Sequence, residues 1–384
     1  MKTVRAYDVA VIGAGVFGAW TAHLLRRTGA SVILVDQYGA GNKRASSGGE
    51  TRILRTGYGP DEIYTCSARR SLQLWRDFEK QMDQPLFHPT GVLWLAREQD
   101  AYSMSTLATF ERMNVAFERL TAVELGRRFP QIEFGPIAWA ILEPDAGVLM
   151  ARHGVHAVVE AAQRAGVTYV EEAILPPTGN GRLESLVTTR EGRITARTYV
   201  FGCGPWLPKL FPEVLGKLVQ ITRQEVFYFR VPAGDNRFAP PAMPVWIDFN
   251  DLVYAIPDIA GSGFKIAIDA HGPEFDPDKG DRAATTEGLA AVRRYLSLRI
   301  PSLTDAPLLS SEVCQYENTS NGDFLIDRHP TLENVWLVGG GSGHGFKHGP
   351  AVGEYVVKRI SGGSDVEPRF SLASKATMHR RKVY

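Results

Sequence analysis

The sequence is poor in cysteine, with only Cys66, Cys203 and Cys314 among 384 residues. These three are widely spaced and include no CxxC pair, so the pattern indicates neither a disulfide framework nor a zinc site. We accordingly expect no metal centre. Scattered, unpaired cysteines are typical of a reducing compartment, and we therefore expect the protein to be cytoplasmic.

The sequence also lacks an excess of either charge, since 43 basic and 42 acidic residues leave a formal net charge of +1. This balance predicts no general affinity for nucleic acid or for an acidic membrane. No stretch reaches the roughly 18 continuous apolar residues that span a bilayer. Asp8 interrupts the apolar stretch that a secretory signal requires, so no such signal is expected. The short basic run His379-Arg380-Arg381-Lys382 is expected to be solvated.

Apolar residues make up 44% of the chain, enough for a substantial core. Their periodicity predicts helices over residues 64–82, 151–165 and 281–299, and a capping box at Thr121 and Glu124 predicts a short helix after it. Strands are predicted over residues 167–170, 183–189, 195–201, 226–230, 245–249, 252–256 and 264–270.

These elements predict an α/β fold in which a Rossmann-like nucleotide-binding domain carries an inserted substrate domain built on an antiparallel or mixed sheet. We expect the nucleotide-binding domain to be discontinuous, because βαβ character occurs at both ends of the chain. The predicted division assigns residues 1–84, 151–219 and 300–384 to the nucleotide-binding domain, and residues 85–150 and 220–299 to the substrate domain.

A strand over residues 7–12 runs into the turn Gly13-Ala14-Gly15-Val16-Phe17-Gly18 and a helix, and a second strand ends in Asp36. Gly13 permits the tight turn, Gly15 lets the backbone approach a pyrophosphate, and Gly18 lets the helix pack on the strand. The helix N-terminus offers free N–H groups to phosphate. Asp36 is placed to bind ribose hydroxyls, which argues against NADP. A glycine-rich turn in another α/β protein is the alternative interpretation.

A second glycine loop, Gly339-Gly340-Gly341-Ser342-Gly343-His344-Gly345-Phe346-Lys347, follows an apolar strand near the other end of the chain. Such a loop presents backbone N–H groups to another part of an extended ligand. The first fingerprint does not separate NAD from FAD, but FAD is long enough to need both ends of the chain. On its own, this loop would be interpreted as a structural turn.

Further motifs follow in a fixed order: Gly49-Glu50-Thr51-Arg52-Ile53-Leu54-Arg55-Thr56-Gly57-Tyr58, Thr90-Gly91-Val92-Leu93, Glu143-Pro144-Asp145-Ala146-Gly147-Val148-Leu149, Gly202-Cys203-Gly204-Pro205-Trp206, Val313-Cys314-Gln315-Tyr316 and Asp323-Phe324-Leu325-Ile326-Asp327-Arg328-His329-Pro330. With the two glycine turns they resemble the monomeric sarcosine oxidase group of the D-amino-acid-oxidase-like flavoproteins. N-methyltryptophan, pipecolate and fructosyl-amine oxidases are relatives in that group. The resemblance covers nearly the whole chain.

The resemblance implies FAD held covalently by a thioether from Cys314 to the flavin 8α-methyl group. A thiolate is a competent nucleophile for that bond, although a lone cysteine at a strand end is usually a small buried hydrophobe. The cofactor-binding residues implied by the family motifs are Gly13, Gly15, Val16, Phe17, Gly18, Asp36, Gln37, Ser46, Ser47, Thr51, Arg52, Gly204, Trp206, Cys314, Gly341, Gly343, His344, Gly345, Phe346 and Lys347.

For the substrate, the resemblance implies that Arg55 and Lys347 bind a carboxylate, a purpose that suits an arginine fork and a lysine point charge. Outside the motifs, both would be interpreted as surface residues. Arg52 resembles the family's flavin-proximal arginine, and Tyr254 its active-site tyrosine. Lys265 matches the lysine that activates oxygen, whereas strand alternation alone favours a solvent-facing side chain for it.

The chain departs from the sarcosine-type pattern on the substrate side. Asp269 stands where those oxidases have histidine, and His271 follows on the same face of the strand. Pro60 replaces a glutamate, and Ser47 and Gly48 replace a histidine pair. We therefore expect a substrate other than sarcosine.

The implied reaction is oxidation of a C–N bond in an N-substituted amino acid or related amine, with hydride transfer to flavin, imine hydrolysis and reduction of oxygen to hydrogen peroxide. The alternatives are a flavin amine dehydrogenase with another acceptor, a fructosyl-amine or primary amino acid oxidase, and a non-catalytic flavin-binding subunit. The expected partners are a small amine and oxygen, with neither nucleic acid nor membrane. The protein is expected to be a monomer or a small homo-oligomer.

Overall fold

The computed structural model describes residues 6–376, so the basic run at residues 379–382 lies outside the described part of the chain. The α-helices of the described residues are α1 (Val16–Arg27), α2 (Glu62–Met82), α3 (Ala101–Arg112), α4 (Ala122–Arg128), α5 (Ala151–Arg164), α6 (Leu207–Leu210), α7 (Pro212–Leu215), α8 (Thr286–Arg299) and α9 (Gly349–Ile360). No helix in residues 6–376 is long and apolar enough to cross a membrane.

The strands form three sheets. They are β1 (Ala6–Ile12), β2 (Val32–Asp36), β3 (Thr51–Leu54), β4 (Phe87–His88), β5 (Val92–Ala96), β6 (Glu118–Thr121), β7 (Trp139–Glu143), β8 (Gly147–Met150), β9 (Thr168–Glu171), β10 (Leu186–Val187), β11 (Arg193–Phe201), β12 (Val219–Phe229), β13 (Val245–Asp248), β14 (Val253–Ile256), β15 (Phe264–Ile268), β16 (Leu308–Thr319), β17 (Leu325–Arg328) and β18 (Val335–Gly339).

The first sheet has the order β17-β18-β11-β1-β2-β9, with β10 paired to β11. Its inner pairings are parallel, and β17 is antiparallel to β18. Alternate residues of β1 enter different cores: Val9 and Val11 pack with α1, α5 and α9, and Ala10 and Ile12 pack with Leu207 and Phe211 beyond the opposite face. Burial on both faces explains why β1 is apolar without interruption. The predicted α/β fold is confirmed.

The second sheet has the order β16-β12-β15-β14-β13-β5-β7-β6. It is antiparallel except for the parallel pair β5 and β13, so the sheet is mixed. Phe264 and Ile266 face a core that includes Val292 and Leu296 of α8. The opposite face of β15, which carries Lys265, is covered by β3 of the third sheet, since Lys265 contacts Thr51.

Three strands depart from the predicted division of the chain. β4 and β8 lie within residues 85–150 but form the third sheet with β3, in the order β3-β8-β4. β16 lies within residues 300–384, which the sequence assigned to the nucleotide-binding part, but it pairs along its length with β12 of the second sheet. β16 joins the second sheet because β12, which spans the eleven residues Val219–Phe229, offers a long edge for pairing. Cys314 therefore approaches the first sheet from the substrate-side sheet.

Most predicted elements occur with small changes of boundary. The capping box is present, with Thr121 and Glu124 each accepting from the other's backbone N–H. Helix α8 begins five residues later than predicted, because the chain before it turns and the Thr285 hydroxyl accepts from the Gly288 N–H at 3.0 Å. The predicted strand 183–189 contracts to β10, since the chain turns back at Thr188, whose N–H donates to the Gly192 carbonyl.

Candidate active site

A long cavity of about 420 Å³ extends from the first glycine turn to the sulfur of Cys314. Its walls come from both ends of the chain, as predicted for an extended ligand. The predicted cofactor residues in its lining are Gly13, Gly15, Val16, Phe17, Asp36, Gln37, Ser46, Ser47, Arg52, Gly204, Trp206, Cys314, Gly341, Gly343, Gly345 and Phe346.

The glycine turn has the geometry of a phosphate cradle. Gly13 has φ +100°, and a Cβ there would lie 2.3 Å from the Gly202 oxygen. A Cβ on Gly18 would lie 1.8 Å from the Gly13 oxygen, which explains the close packing of α1 on the turn, although Gly18 does not line the cavity. At Gly15 the nearest atom to such a Cβ is Ser47 Oγ at 3.5 Å, so the turn is open toward the cavity there.

Asp36 both stabilises this turn and faces the cavity. One carboxylate oxygen accepts from the Ala14 N–H at 2.7 Å, and the other from the Tyr38 N–H at 2.9 Å. Burial raises the pKa of Asp36. The carboxylate retains acceptor capacity, because each oxygen has two lone pairs, and this suits the ribose hydroxyls of a dinucleotide.

Glu317 is a cavity residue that the sequence analysis missed. Its side chain is 6% exposed, and Oε1 has no hydrogen-bond partner among the described residues. Burial raises its pKa to about 8. An unpartnered polar atom of this kind in a cavity wall fits a cofactor rich in hydroxyl and phosphate groups. Its place on β16, three residues after Cys314, was the available signal.

A smaller cavity of about 80 Å³ continues from the Cys314 end, sharing Arg52, Cys314, Tyr316, Gly343 and Phe346 with the long one. The other predicted site residues in its lining are Thr51, Arg55, Tyr254, Lys265, Asp269, His344 and Lys347. His271 lines neither cavity; its side chain is exposed, and its ring stands edge-on to that of Tyr316 at 6.4 Å. The two cavities thus separate a cofactor-sized space from a substrate-sized one.

Arg52 lies where the two cavities join. Its guanidinium donates to the Ser46 carbonyl at 2.6 Å and to its neighbour, the Thr51 carbonyl, at 2.7 Å. The same group lies 3.4 Å from the sulfur of Cys314.

Lys265 is buried beside Arg52, at 1% exposure, so the solvent-facing interpretation of its strand position is wrong. Its ammonium group donates to the Thr51 carbonyl at 3.0 Å and lies 5.6 Å from the centre of the Tyr228 ring. Burial, and next the charge of Arg52, lower its pKa to about 7. Its face of β15 is closed by β3, a long-range contact that strand alternation does not reveal.

Arg55 and Lys347 both lie close to the ring of Tyr58. The Arg55 guanidinium lies 4.4 Å from the centre of that ring and 4.8 Å from that of Trp94. The Lys347 ammonium donates to the Tyr58 hydroxyl and to the His344 carbonyl, both at 2.9 Å. Both side chains are 4% exposed, so they place positive charge in a buried pocket.

Glu143, a residue of the quoted motifs to which no role was assigned, holds the segment that carries Arg55. Its carboxylate accepts from the backbone N–H groups of Thr56 at 2.7 Å and Gly57 at 3.1 Å, and from the Trp94 indole at 2.6 Å. This buried carboxylate fixes the two residues that directly follow Arg55. It positions Arg55 without lining the substrate cavity.

Asp269 pairs with Tyr316, not with His271, its neighbour on the same face of the predicted strand. Its carboxylate accepts from the Tyr316 hydroxyl at 2.6 Å. Burial raises its pKa to about 6, so the side chain is mostly ionised at neutral pH. The carboxylate therefore presents a negative acceptor to the small cavity that also contains Arg55 and Lys347.

Residues 8–359 match the model of the family described as DAO, FAD-dependent oxidoreductase. The chain belongs to this family. Monomeric sarcosine oxidase of Bacillus sp. (strain NS-129) is 32% identical over 365 residues, which cover 93% of this chain and 93% of that protein. N-methyl-L-tryptophan oxidase of Salmonella arizonae is 27% identical and aligns with 91% of this chain and 93% of that protein.

The fold is also that of a solved DAO-type structure, L-proline dehydrogenase from P. horikoshii, with a TM-score of 0.83 at 21% identity, covering 98% of this chain and 100% of that one. The resemblance drawn from the motifs is thereby confirmed, and so is dependence on FAD. The glycine cradle, the Asp36 carboxylate and the unpartnered Glu317 oxygen fit that cofactor along the long cavity. Among residues 6–376, no group of three histidine, cysteine or acidic side chains is arranged to hold a metal ion.

Proposed function

We propose that the protein is an FAD-dependent oxidase of an N-substituted amino acid or related amine, and that its substrate is not sarcosine itself. The observation that carries the proposal is the buried pair of basic side chains, Arg55 and Lys347, in a small cavity that ends at Arg52 and Cys314. A carboxylate bound between two buried cations is held in one orientation. Its amine carbon then lies toward the cofactor end of the cavity.

When bound, FAD supplies the acceptor that takes a hydride from the amine carbon and passes the electrons to oxygen, which yields hydrogen peroxide. The substrate becomes an imine, which water hydrolyses. The protein's residues orient the substrate and stabilise charge. Arg55 and Lys347 bind the carboxylate, and Lys265 and Arg52 hold positive charge near the cofactor end. Tyr254 and Asp269 contribute the remaining polar wall.

A dehydrogenase that passes electrons to another acceptor is the second candidate. Lys265 favours the oxidase, because a buried cation stabilises the negative charge that develops on oxygen during its reduction.

The three cysteines form no disulfide in the structure, which supports a cytoplasmic location.

The proposal is tested with a panel of amines mixed anaerobically with the flavin-loaded protein. An oxidisable amine should bleach the flavin, and admission of air should restore the colour with formation of peroxide. Bleaching that is reversed by an artificial acceptor but not by air would identify a dehydrogenase. Absence of bleaching by every amine would leave a flavin-binding protein without this activity.

Replacement of Cys314 by alanine should release the flavin from the chain. In the wild-type protein we expect the yellow colour to stay with the acid precipitate, because the sulfur lies at the cofactor end of the cavity beside Arg52. In Cys314→Ala the colour should pass to the supernatant. Cys66→Ala, at an exposed position on α2, is the matched control and should retain the colour. Wild-type flavin found wholly in the supernatant would show that no covalent bond forms.

Replacement of Asp269 by asparagine should change which substrates are preferred. An ionised carboxylate favours a substrate with a hydroxyl or cationic group, and a hydrogen bond to a charged group contributes about 1.5–3 kcal/mol. The advantage in kcat/KM of cationic over neutral N-substituted amino acids should fall in Asp269→Asn by about tenfold or more. The same advantage should fade in wild type as pH drops below about 6, where Asp269 protonates. Sarcosine as the best substrate, or an unchanged ranking, would contradict this assignment.

A further inference from the structure

A line of hydrogen-bonded side chains joins Lys347 to the protein surface, away from both cavities. The Lys347 ammonium donates to the Tyr58 hydroxyl at 2.9 Å, and that hydroxyl lies 2.7 Å from His348 Nε2. The other ring nitrogen, Nδ1, lies 2.9 Å from Ser67 Oγ. His348 is fully buried, whereas Ser67 on α2 is partly exposed. Tyr58, His348 and Ser67 line neither cavity.

When Lys347 is charged, the hydrogen bonds of the line all run in one direction. An ammonium group only donates, so the Tyr58 oxygen accepts from Lys347 and its own proton is free to bond to His348. His348 then accepts at Nε2, carries its proton on Nδ1 and donates to the Ser67 hydroxyl. The sequence of donors runs from the pocket to the surface without a break.

A competing branch from Tyr58 ends inside the protein. His344 Nδ1 lies 3.3 Å from the Tyr58 hydroxyl, which is longer than the bond to His348. His344 Nε2 faces the Gly322 carbonyl at 3.2 Å, an acceptor that has no proton to pass on. Only the branch through His348 leads to a group in contact with solvent.

The charges around the line favour a lysine that changes its protonation state. Burial, and next the charge of Arg55, hold the pKa of Lys347 well below its usual range, and Asp269 and Glu143 oppose this effect. Burial and the charges of Lys347, His344 and Arg55 lower the pKa of His348, which keeps the imidazole neutral. Tyr64 of α2 also packs on His348, with ring centres 5.7 Å apart, and stays protonated because burial raises its pKa. An arriving carboxylate favours the charged form of Lys347.

We propose that Tyr58, His348 and Ser67 are a proton relay that exchanges a proton between solvent and Lys347 as an anionic substrate group binds or leaves. The inference rests on the proposed function, because it takes the anion bound by Lys347 to be a carboxylate.

Each side chain in the relay, Tyr58, His348 and Ser67, gains one proton and loses one. Before uptake, the neutral amine of Lys347 accepts from Tyr58, Tyr58 accepts from His348 Nε2, and His348 Nδ1 accepts from Ser67. The Tyr58 proton passes to the amine, the Nε2 proton to Tyr58, the Ser67 proton to Nδ1, and a proton from solvent to Ser67. The result is an ammonium group, one proton fewer in solvent, and the arrangement of donors described above.

The test is a stopped-flow experiment on the flavin-loaded protein in weakly buffered solution with a pH indicator. Acetate is the probe, and its binding is followed separately through the flavin absorbance. Where Lys347 is neutral, wild type should take up close to one proton for each acetate bound. His348→Gln keeps a donor and an acceptor in place but cannot relay a proton, so it should slow proton uptake by roughly a hundredfold with little change in acetate affinity.

Ser67→Ala removes the outer end of the relay and should also slow proton uptake. The matched control is Ser71→Ala, one turn later on α2, whose hydroxyl accepts from the Ala351 N–H at 3.3 Å and takes no part in the relay. It should take up protons at the wild-type rate. A purely structural role for His348 would change stability and affinity without changing the rate of uptake.

The outcomes separate the relay from the function on which it rests. Acetate binding with proton uptake at the wild-type rate in His348→Gln would overturn the relay. Acetate binding to wild type without proton uptake at any neutral or alkaline pH would also overturn it while leaving the carboxylate site intact. Absence of acetate binding to wild type would overturn the carboxylate site itself.

Discussion

Replacing Lys265 by methionine should slow the reaction of the reduced flavin with oxygen by about 10²–10³-fold, a typical effect of removing one preorganised charge or donor at a site of developing charge. Methionine has a similar length and fills the same buried space between Thr51 and Tyr228 without the charge. Oxygen acquires negative charge only in the oxidative half-reaction. Reduction of the flavin by an amine should therefore change far less in Lys265→Met.

The pH dependence of the oxygen reaction provides an independent measurement. The pKa of Lys265 lies near 7, so its positive charge is present at lower pH and is lost as pH rises through that value. The second-order rate constant for reoxidation should fall over the same range in wild type and stay flat in Lys265→Met. The two half-reactions are measured separately by stopped flow, with the reductive one as internal control. Equal slowing of both would assign Lys265 to substrate binding or to structure.

The part of the site that the sequence predicts well is local. Gly13, Gly15 and Gly18 lie within six residues, and their roles follow from backbone sterics that hold for any chain with this turn. The role of Asp36 can be predicted in the same way, because the apolar run of β2 locates the strand end that carries this residue. The structure adds one contact to these predictions, the hydrogen bond from the Ala14 N–H to the Asp36 carboxylate.

The part that the sequence could not predict depends on contacts between distant segments. Lys265 has an alternating pattern that fits a solvent face, and only the approach of β3 buries it. Glu143 and Tyr58 lie 85 residues apart by their numbering, yet both act on Arg55, one through the backbone and one through its ring. No periodicity connects such positions.

Asp269 shows the same limit in a different form. Strand alternation predicts that Asp269 and His271 lie on one face of a strand. In the structure β15 ends at Ile268, and the partner of Asp269 is Tyr316 on the neighbouring part of β16. The alternation of side chains between two faces holds only within a strand. Asp269 and His271 lie beyond the end of β15, so it does not determine their directions. His271 is consequently exposed rather than part of the cavity wall.

Replacing Arg55 by alanine should weaken the binding of simple carboxylate inhibitors by about 2–5 kcal/mol, or roughly 30- to 4,000-fold in Ki. The guanidinium is 4% exposed and lies over the rings of Tyr58 and Trp94, so a carboxylate that meets it has lost its water. Loss of one member of a desolvated charge contact leaves the other without compensation, which explains the large expected effect. Lys347 remains in the variant and should preserve weak binding.

The decisive comparison uses substrates with and without the carboxylate. Arg55→Ala should reduce kcat/KM for an amino acid by the factor seen with inhibitors, and should change it little for the matching decarboxylated amine, which has no group to meet the guanidinium. Arg55→Met, which keeps packing volume between Tyr58 and Trp94, should match Arg55→Ala if charge is the cause and should recover activity if packing is the cause. Decarboxylated amines that are as good as their parent acids in wild type would contradict the carboxylate site, because Arg55 and Lys347 would then contribute nothing to substrate preference.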